Sequence, residues 1–146
     1  FSFVYRYVLE TIDQTVVTLK KELDFTRSYI FLQQIRYGES LQFSTNIPSG
    51  LLEKYLPPLT LQVVLENAIK HNIISESKPL EIEITGEDRF LIIRNTIQSK
   101  LSSGYSSGIG QKNMIKRYEM IGADLPEFTV ETNIYKVKLP LIANLD

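Results

Sequence analysis

The segment LENAIKHN, residues 65–72, concentrates the side chains of this sequence that could do chemistry. Within two helical turns it carries an acid (Glu66), an amide (Asn67), an amine (Lys70) and an imidazole (His71). Side chains of these types can together hold a metal ion, orient a nucleophile and neutralise phosphate charge. We therefore interpret this segment as the candidate functional site.

The same residue types are also compatible with an ordinary solvated surface. Glu66 and Lys70 stand at i and i+4 in the favourable order, and such a pair stabilises a helix by about 0.2–0.5 kcal/mol. His71 is the sole histidine in the sequence, and one histidine makes a poor metal site. On these residues alone, both interpretations stay open.

The surrounding pattern predicts how these polar residues are positioned. Residues 61–74 read LQVVLENAIKHNII, and Pro57 and Pro58 precede them. At 100° per residue, the apolar side chains fall in one arc of a helical wheel and the four polar ones in the opposite arc. The apolar arc consists of Leu61, Val64, Leu65, Ala68 and Ile69. The pattern predicts an amphipathic helix that presents its polar face outwards.

A second candidate feature is the stretch QSKLSSGYSSGIG, residues 98–110, which is rich in serine and glycine and lacks periodicity. It predicts a mobile loop that opens directly into a helix closed by Gly122. Unpaired N–H groups at a helix start favour anions, and the glycines from Gly104 to Gly110 allow close approach to the backbone. A plain flexible linker is the alternative interpretation.

The remaining elements predict the fold class. A long helix begins with Thr18 as its cap and ends at Gly38, and a strand follows over residues 41–47. Residues 80–95 form a hairpin that turns at residues 86–88, and the last hairpin turns at Asn133. We expect an α/β (α+β) two-layer sandwich with helices on one face of a mixed sheet.

Composition limits the function classes. The chain has 146 residues, 43% hydrophobic and 23% charged, as is typical of one globular domain. Its net charge of -1 gives no electrostatic reason to expect nucleic acid as a partner. The absence of cysteine excludes disulfides and thiolate chemistry, and no signal peptide or membrane span is predicted. Because the sequence begins without methionine, we interpret it as a fragment of a longer protein.

At this point the sequence resembles a known family, the sensor histidine kinases of the LytS type within the GHKL superfamily. LENAIKH resembles the N box of that superfamily, and GIGQKN followed by KRY resembles its second glycine box. The run FTRSYIFLQQIRYGESLQF is similar to the sequence that precedes the ATP-binding core in this branch. The resemblance implies a Bergerat-type ATP-binding fold. It also implies two regions: residues 1–15 as the end of the dimerisation and phosphoacceptor helix region, and residues 16–146 as the catalytic ATP-binding domain.

The resemblance implies roles for the residues of the N box. Asn67 would coordinate the Mg²⁺ that bridges the ATP phosphates. Glu66 would act as general base or polarise the attacking group, and Lys70 would meet phosphate oxygens. His71 would pack near the nucleotide.

The resemblance also implies roles around the second glycine box. Gly108 and Gly110 would let a lid close over the phosphates, and Asn113 would contact them. Lys116 and Arg117 would add positive charge.

The sequence departs from the family pattern at three positions. Asn95 stands where the first glycine box has the aspartate that binds the adenine amino group, and its side-chain oxygen can still accept that bond without the charge. Gln111 replaces a leucine after the second glycine pair, and Val63 stands where many kinases have another asparagine. These departures bear on nucleotide affinity more than on the fold.

The function implied is transfer of the γ-phosphoryl group of Mg-ATP to a histidine on a domain that would lie upstream of Phe1. ATP and Mg²⁺ would be the cofactors. The partners would be the protein's own phosphoacceptor domain, a response regulator and a second copy in a homodimer, with this domain on the cytoplasmic side of an inner-membrane protein.

Two alternatives remain. The first is a pseudo-kinase module that binds nucleotide weakly or not at all and signals by protein contact; Asn95 favours it, and intact Glu66, Asn67 and Lys70 oppose it. The second is another ATPase of the same superfamily, which the LytS-type flanking sequence disfavours.

Overall fold

The computed structural model describes residues 2–11, 14–98 and 109–143. In chain order its helices are α1 (Ser2–Thr11), α2 (Leu19–Tyr37), α3 (Thr60–His71) and α4 (Ile109–Met120). Its strands are β1 (Val17–Thr18), β2 (Leu41–Asn46), β3 (Tyr55–Leu56), β4 (Leu80–Glu87), β5 (Phe90–Thr96), β6 (Glu127–Glu131) and β7 (Ile134–Pro140). The sequence-predicted order of helices and strands is confirmed.

The main sheet has five strands in the order β2-β4-β5-β7-β6. Strand β2 runs parallel to β4, and the other neighbours are antiparallel, so the sheet is mixed as predicted. The two predicted hairpins form. Apolar and polar residues alternate along β4, β6 and β7, whereas β5 begins with four consecutive apolar residues. Each tight turn contains a residue with positive φ, Asp88 at 56° and Thr132 at 43°.

One face of the sheet carries the core, and helices α2, α3 and α4 contribute buried residues to the same core. Along β4, for example, Leu80, Ile82 and Ile84 are buried and belong to it. The opposite face carries charged side chains: Glu83 and Arg94 are paired in register, and their charged atoms lie 3.8 Å apart. It also carries the buried Ile92. The predicted two-layer sandwich is confirmed.

Helix α2 begins and ends where the sequence predicts. The hydroxyl of Thr18 accepts a hydrogen bond from Lys21 N at 3.2 Å, so the side chain caps the first turn. The helix ends at Gly38, whose φ of 58° is readily adopted by glycine. Its sequence predicts a buried side made of Leu19, Leu23, Tyr29, Ile30 and Leu32; the first four are buried, and Leu32 is only half-buried.

A small second sheet was not predicted. It pairs β1 with β3, with Val17 opposite Leu56. Strands of two residues carry no measurable alternation, so sequence periodicity cannot detect them. This sheet joins the start of α2 to the segment that leads into α3.

Candidate functional site between helices α3 and α4

Helix α3 places its two faces as the sequence predicts. All five residues of the apolar arc are buried. On the polar face, Glu66 and Lys70 are exposed, while Asn67 and His71 are half-buried. The polar residues are therefore available at the surface of the helix layer, but they do not all point in one direction.

Asn67 faces the beginning of α4. A Cβ atom built on Gly110 would lie 4.0 Å from Asn67 Nδ2 and 3.2 Å from Val63 Cγ1. The second distance is shorter than an ordinary contact, so a side chain at position 110 would press on α3. The structure thus brings Asn67 and Gly110 together, and glycine allows the close approach of the two helices.

A cleft of 420 Å³ lies between α3 and α4. It is lined by Leu59, Thr60, Val63, Gly110, Asn113, Met114, Lys116 and Arg117. Asn113 and Lys116 are exposed, and Lys116 supplies a positive charge. Because α4 begins at Ile109, the unpaired N–H groups of its first turn lie beside the Gly110 end of this cleft.

Glu66 faces a different neighbour. Its Oε1 accepts a hydrogen bond from Gln62 Nε2 at 2.6 Å, one turn earlier on the same helix. Burial raises the pKa of Tyr29, on α2, to about 12, and the charge of Glu66 contributes to that rise. Glu66 therefore lies on the α2 side of α3. None of the four polar residues of α3, Glu66, Asn67, Lys70 and His71, lines the α3–α4 cleft. Asn67 is the one of them that lies near its Gly110 end.

Asn95 lies in β5 on the face of the sheet that carries the core. Its exposed fraction is 2%, and its Nδ2 donates to Thr96 O at 2.8 Å. In the strand register it stands opposite Ile82 on one side and Tyr135 on the other. The side chain of Asn95 is thus held within the sheet layer and linked to its own backbone.

Tyr135 connects this part of the sheet to α4. Its hydroxyl accepts a hydrogen bond from Gln111 Nε2. Burial raises the pKa of Tyr135, and the bond from Gln111 acts in the opposite direction. The structure therefore places Asn95, Tyr135 and Gln111 in one connected row at the start of α4.

The predicted mobile loop and Gly108 lie outside the described residues, apart from the loop's first and last positions. The first of these, Gln98, is held firmly: its N–H donates to Asn72 Oδ1 at 2.6 Å, and its Nε2 donates to Ile73 O and Lys78 O at 2.8 Å each. Gln98, the last described residue before this segment, thus lies beside the C-terminal end of α3. The described residues resume at Ile109, and Gly110 lies next to Asn67.

Sequence reasoning missed Glu22, a completely buried acid of α2. Its Oε1 and Oε2 accept hydrogen bonds from Leu59 N and Leu61 N, at 3.1 Å each. A signal was present, because Glu22 falls between Leu19 and Thr26 in the buried stripe of α2 at spacings of three and four. An acid in such a stripe indicates a buried partner.

The described residues contain no group of three or more His, Cys, Asp or Glu side chains placed to hold a metal ion together. None of the helices within residues 2–11, 14–98 and 109–143 is long and apolar enough to cross a membrane. A separate groove of 490 Å³ lies over β2, β4 and β5, and the paired Glu83 and Arg94 of the polar sheet face line it.

Comparison with protein families and curated proteins gives the following similarities. The family model described as "Histidine kinase" matches residues 1–41. The sensor histidine kinase/phosphatase LytS of Staphylococcus aureus (strain Mu50 / ATCC 700699) is 31% identical over 84 residues, or 58% of this chain. The chain spans 14% of the length of that relative.

Solved structures show the same fold. The cytoplasmic segment of histidine kinase QseC superposes with a TM-score of 0.62 at 13% identity, covering 98% of this chain and 92% of that chain. The catalytic domain of histidine kinase ThkA superposes with a TM-score of 0.54 at 14% identity, covering 88% and 97%. The predicted resemblance to LytS-type sensor histidine kinases is confirmed, as is the predicted fold.

Proposed function

We propose that this chain is the ATP-binding catalytic domain of a two-component sensor histidine kinase, and that it transfers the γ-phosphoryl group of Mg-ATP to a histidine on another domain. The observation that carries this proposal is the placement of Asn67 against Gly110, at the start of α4. The sequence similarity to LytS and the fold shared with histidine kinases support it.

The residues around the α3–α4 cleft fit a magnesium–nucleotide complex. The side-chain oxygen of Asn67 is a hard ligand of the kind Mg²⁺ prefers, and Mg²⁺ commonly takes one or two protein ligands beside substrate phosphates. Gly110 lets the first turn of α4 pack close to Val63 and Asn67 of α3. Asn113 and Lys116 provide an amide and a positive charge along the same cleft. Bound there, Mg²⁺ would neutralise charge on the phosphate oxygens.

Positioning and charge neutralisation are the main contributions of a protein to phosphoryl transfer. In this chain, Asn67 would hold the metal, Gly108 and Gly110 would admit the phosphates to the backbone, and Asn113 would orient them. Glu66 is exposed, so a histidine from another domain can reach its carboxylate, which polarises the attacking imidazole. Lys70 and His71 lie one turn further along α3, where we assign them to phosphate oxygens and to packing against the nucleotide.

The partners follow from the same proposal. The chain spans 14% of the length of LytS, and we assign the phosphoacceptor histidine to a part of the full-length protein outside this chain. We assign residues 1–15 to the end of the dimerisation and phosphoacceptor region and residues 16–146 to the catalytic domain. A response regulator would receive the phosphoryl group, and the full-length protein would be a homodimer anchored in the inner membrane with this domain in the cytoplasm.

A second candidate function is a pseudo-kinase module that signals by contact. The observation that favours it is the buried, uncharged Asn95, whose amide nitrogen is bound to Thr96 O. A neutral acceptor at this position binds an adenine amino group less strongly than a carboxylate does. The presence of Asn67, Glu66 and Lys70 on the polar face of α3 opposes this candidate.

Calorimetric titration of the wild-type chain with ATP, with and without Mg²⁺, distinguishes the two candidates. The kinase proposal predicts binding that strengthens when Mg²⁺ is present, because Asn67 would hold the metal and the metal would neutralise charge on the phosphates. Titration with GTP is the matched control, since GTP carries the same phosphates on a base without the adenine amino group. Absence of binding to ATP under both conditions would contradict the kinase proposal and support signalling by contact.

A further inference from the structure

Glu22 is a charged group that the proposed chemistry does not use. Its side chain is completely buried, yet three hydrogen-bond donors reach its two carboxylate oxygens. Leu59 N and the Tyr7 hydroxyl donate to Oε1, and Leu61 N donates to Oε2. Burial raises the pKa of Glu22, and these donors together with the charge of Arg117 act against that rise. The carboxylate is therefore surrounded by groups that stabilise its charged form.

The donors from Leu59 and Leu61 belong to the start of α3, which has no local cap. The residue at the N-cap position is Leu59, whose side chain cannot accept a hydrogen bond and whose φ is 68°. The first turn of α3 also contains no acidic residue. A helix start normally receives a side-chain oxygen and a negative charge from its own sequence. Here Glu22, on a different helix, supplies the side-chain oxygens that accept from Leu59 N and Leu61 N.

Tyr7 attaches α1 to the same carboxylate. Its ring stacks on Phe25 of α2 with 4.2 Å between ring centroids and 10° between planes, and 6% of the residue is exposed. Its hydroxyl therefore has a fixed direction when it donates to Glu22. One carboxylate thus joins α1, α2 and the first turn of α3.

Helix α4 contacts the segment just before α3 through Arg117. The guanidinium of Arg117, on α4, donates from Nη1 to Pro58 O at 2.7 Å, directly before α3. Arg117, Leu59 and Thr60 also line the cleft between α3 and α4. The position of the first turn of α3 therefore affects the shape of the proposed nucleotide site.

We infer that Glu22 is a positioning residue that couples the placement of α1 to the start of α3, and through α3 to nucleotide affinity. When the Tyr7 hydroxyl is in place, Glu22 is fixed and holds Leu59 and Leu61. When α1 moves away, Glu22 loses a donor and the first turn of α3 becomes less ordered. The effect on affinity rests on the proposed function, whereas the effect on α3 does not. Movement of the segment containing α1 would in this way change nucleotide binding.

The test uses Tyr7→Phe in the full 146-residue chain. This substitution keeps the stacked ring and removes only the hydroxyl. We expect faster amide hydrogen exchange over residues 59–63 without nucleotide, and an affinity for Mg-ATP that is weaker by about 3- to 10-fold. Tyr5→Phe is the matched control, because Tyr5 lies on the same helix with 68% of its surface exposed. It should leave both measurements unchanged.

A double-mutant cycle separates coupling from a general loss of packing. In a Glu22→Leu background, Tyr7→Phe should have no further effect on affinity or on exchange, because no side-chain oxygen is left to accept the bond from the Tyr7 hydroxyl. Asp24→Leu is the control for Glu22→Leu, since Asp24 is an exposed acid of the same helix. Additive effects of Tyr7→Phe and Glu22→Leu would overturn the inference.

The exchange measurement also separates this inference from the proposed function. Unchanged exchange over residues 59–63 in Tyr7→Phe would overturn the coupling, whether or not the chain binds nucleotide. A wild-type chain that binds no Mg-ATP would contradict the proposed function and the effect on affinity. In that case, faster exchange in Tyr7→Phe would still support the link between α1 and α3.

Discussion

Gln111 donates a hydrogen bond to the hydroxyl of Tyr135, which joins the start of α4 to strand β7. Tyr135 in turn stands opposite Asn95 in the register of β5 and β7. Gln111 and Asn95 are two of the three positions at which the sequence departs from the pattern it resembles. Tyr135 is hydrogen-bonded to Gln111 and stands opposite Asn95. We therefore expect substitutions at positions 95 and 111 to affect nucleotide binding together rather than independently.

The first prediction concerns Asn95→Asp. A carboxylate cannot donate to Thr96 O as the amide does, and the position is 2% exposed. We therefore expect the free energy of unfolding to fall by about 1–3 kcal/mol without ligand. Adenine nucleotides should nevertheless bind more tightly, by at most about 1–2 kcal/mol, because the acceptor gains a charge.

Urea unfolding and calorimetry measure these two effects separately. Asn46→Asp is a suitable control, since Asn46 is exposed in edge strand β2. It adds the same charge without burial and should change neither quantity appreciably. An Asn95→Asp variant with unaltered affinity would show that Asn95 does not contact the base. That result would support the pseudo-kinase module that signals by protein contact.

The second prediction concerns Asn67→Ala. Removal of the amide oxygen removes the proposed Mg²⁺ ligand, while the half-buried position leaves the core intact. We expect the gain in ATP affinity on adding Mg²⁺ to disappear and the thermal unfolding midpoint to stay near that of the wild type. Asn67→Asp retains a hard oxygen and should restore the dependence on Mg²⁺. If Asn67→Ala binds Mg-ATP as the wild type does, Asn67 is not a metal ligand.

The third prediction concerns Gly110→Ala. The added methyl group would lie 3.2 Å from Val63 Cγ1, and it would push α4 away from α3 near Asn67. We expect weaker Mg-ATP binding with little net change in stability, because alanine favours the helix over glycine by about 1 kcal/mol and offsets part of the strain. Calorimetry and urea unfolding measure the two quantities.

Removal of the Val63 methyl groups tests whether their contact with the new Cβ causes the weaker binding. Val63→Ala in the Gly110→Ala chain should restore affinity, because it vacates the space that the new Cβ needs. Gly50→Ala is the control glycine substitution, since a Cβ there meets nothing within 4 Å. Weak binding that Val63→Ala does not restore would exclude helix separation as the cause.

The fourth prediction concerns alkaline pH. Burial raises the pKa of Tyr7, Tyr29, Tyr118 and Tyr135. For Tyr29 the pKa rises from 10.0 to about 12. The unfolded chain therefore releases these protons at lower pH than the folded chain, so the stability present below pH 10 is lost as the pH rises through the folded values.

Urea unfolding between about pH 9 and about pH 11, followed by tyrosinate absorbance, tests this expectation. The free energy of unfolding should fall across the range, and Tyr29→Phe should make that fall smaller. A free energy that stays constant across the range would contradict the raised pKa values.

The fifth prediction concerns self-labelling. His71, the sole histidine of the sequence, is half-buried on the same rigid helix as Asn67, so it cannot align with a γ-phosphate held by that residue. Incubation with labelled ATP should leave the chain without acid-labile label. Label on His71 would show that the phosphoacceptor lies in this domain.

Features that depend on neighbouring residues were predictable from the sequence. Thr18 and Gly38 define the ends of α2 because a cap acts on its own helix. Features that join distant parts of the chain were not predictable. Glu22 and Leu59 lie 37 residues apart in sequence. Nothing in the sequence around either residue predicts the hydrogen bond between them. The meeting of Asn95, Tyr135 and Gln111 likewise depends on the register of β5 and β7.

The parallel pairing of β2 with β4 has a consequence for folding kinetics. The hairpins β4–β5 and β6–β7 close over short loops, and such contacts form early. Strand β2 can join β4 only after the chain containing β3 and α3 has crossed over, which costs more loop-closure entropy. We therefore expect α3, the helix that carries the N box, to reach its final position late, with the last edge of the sheet.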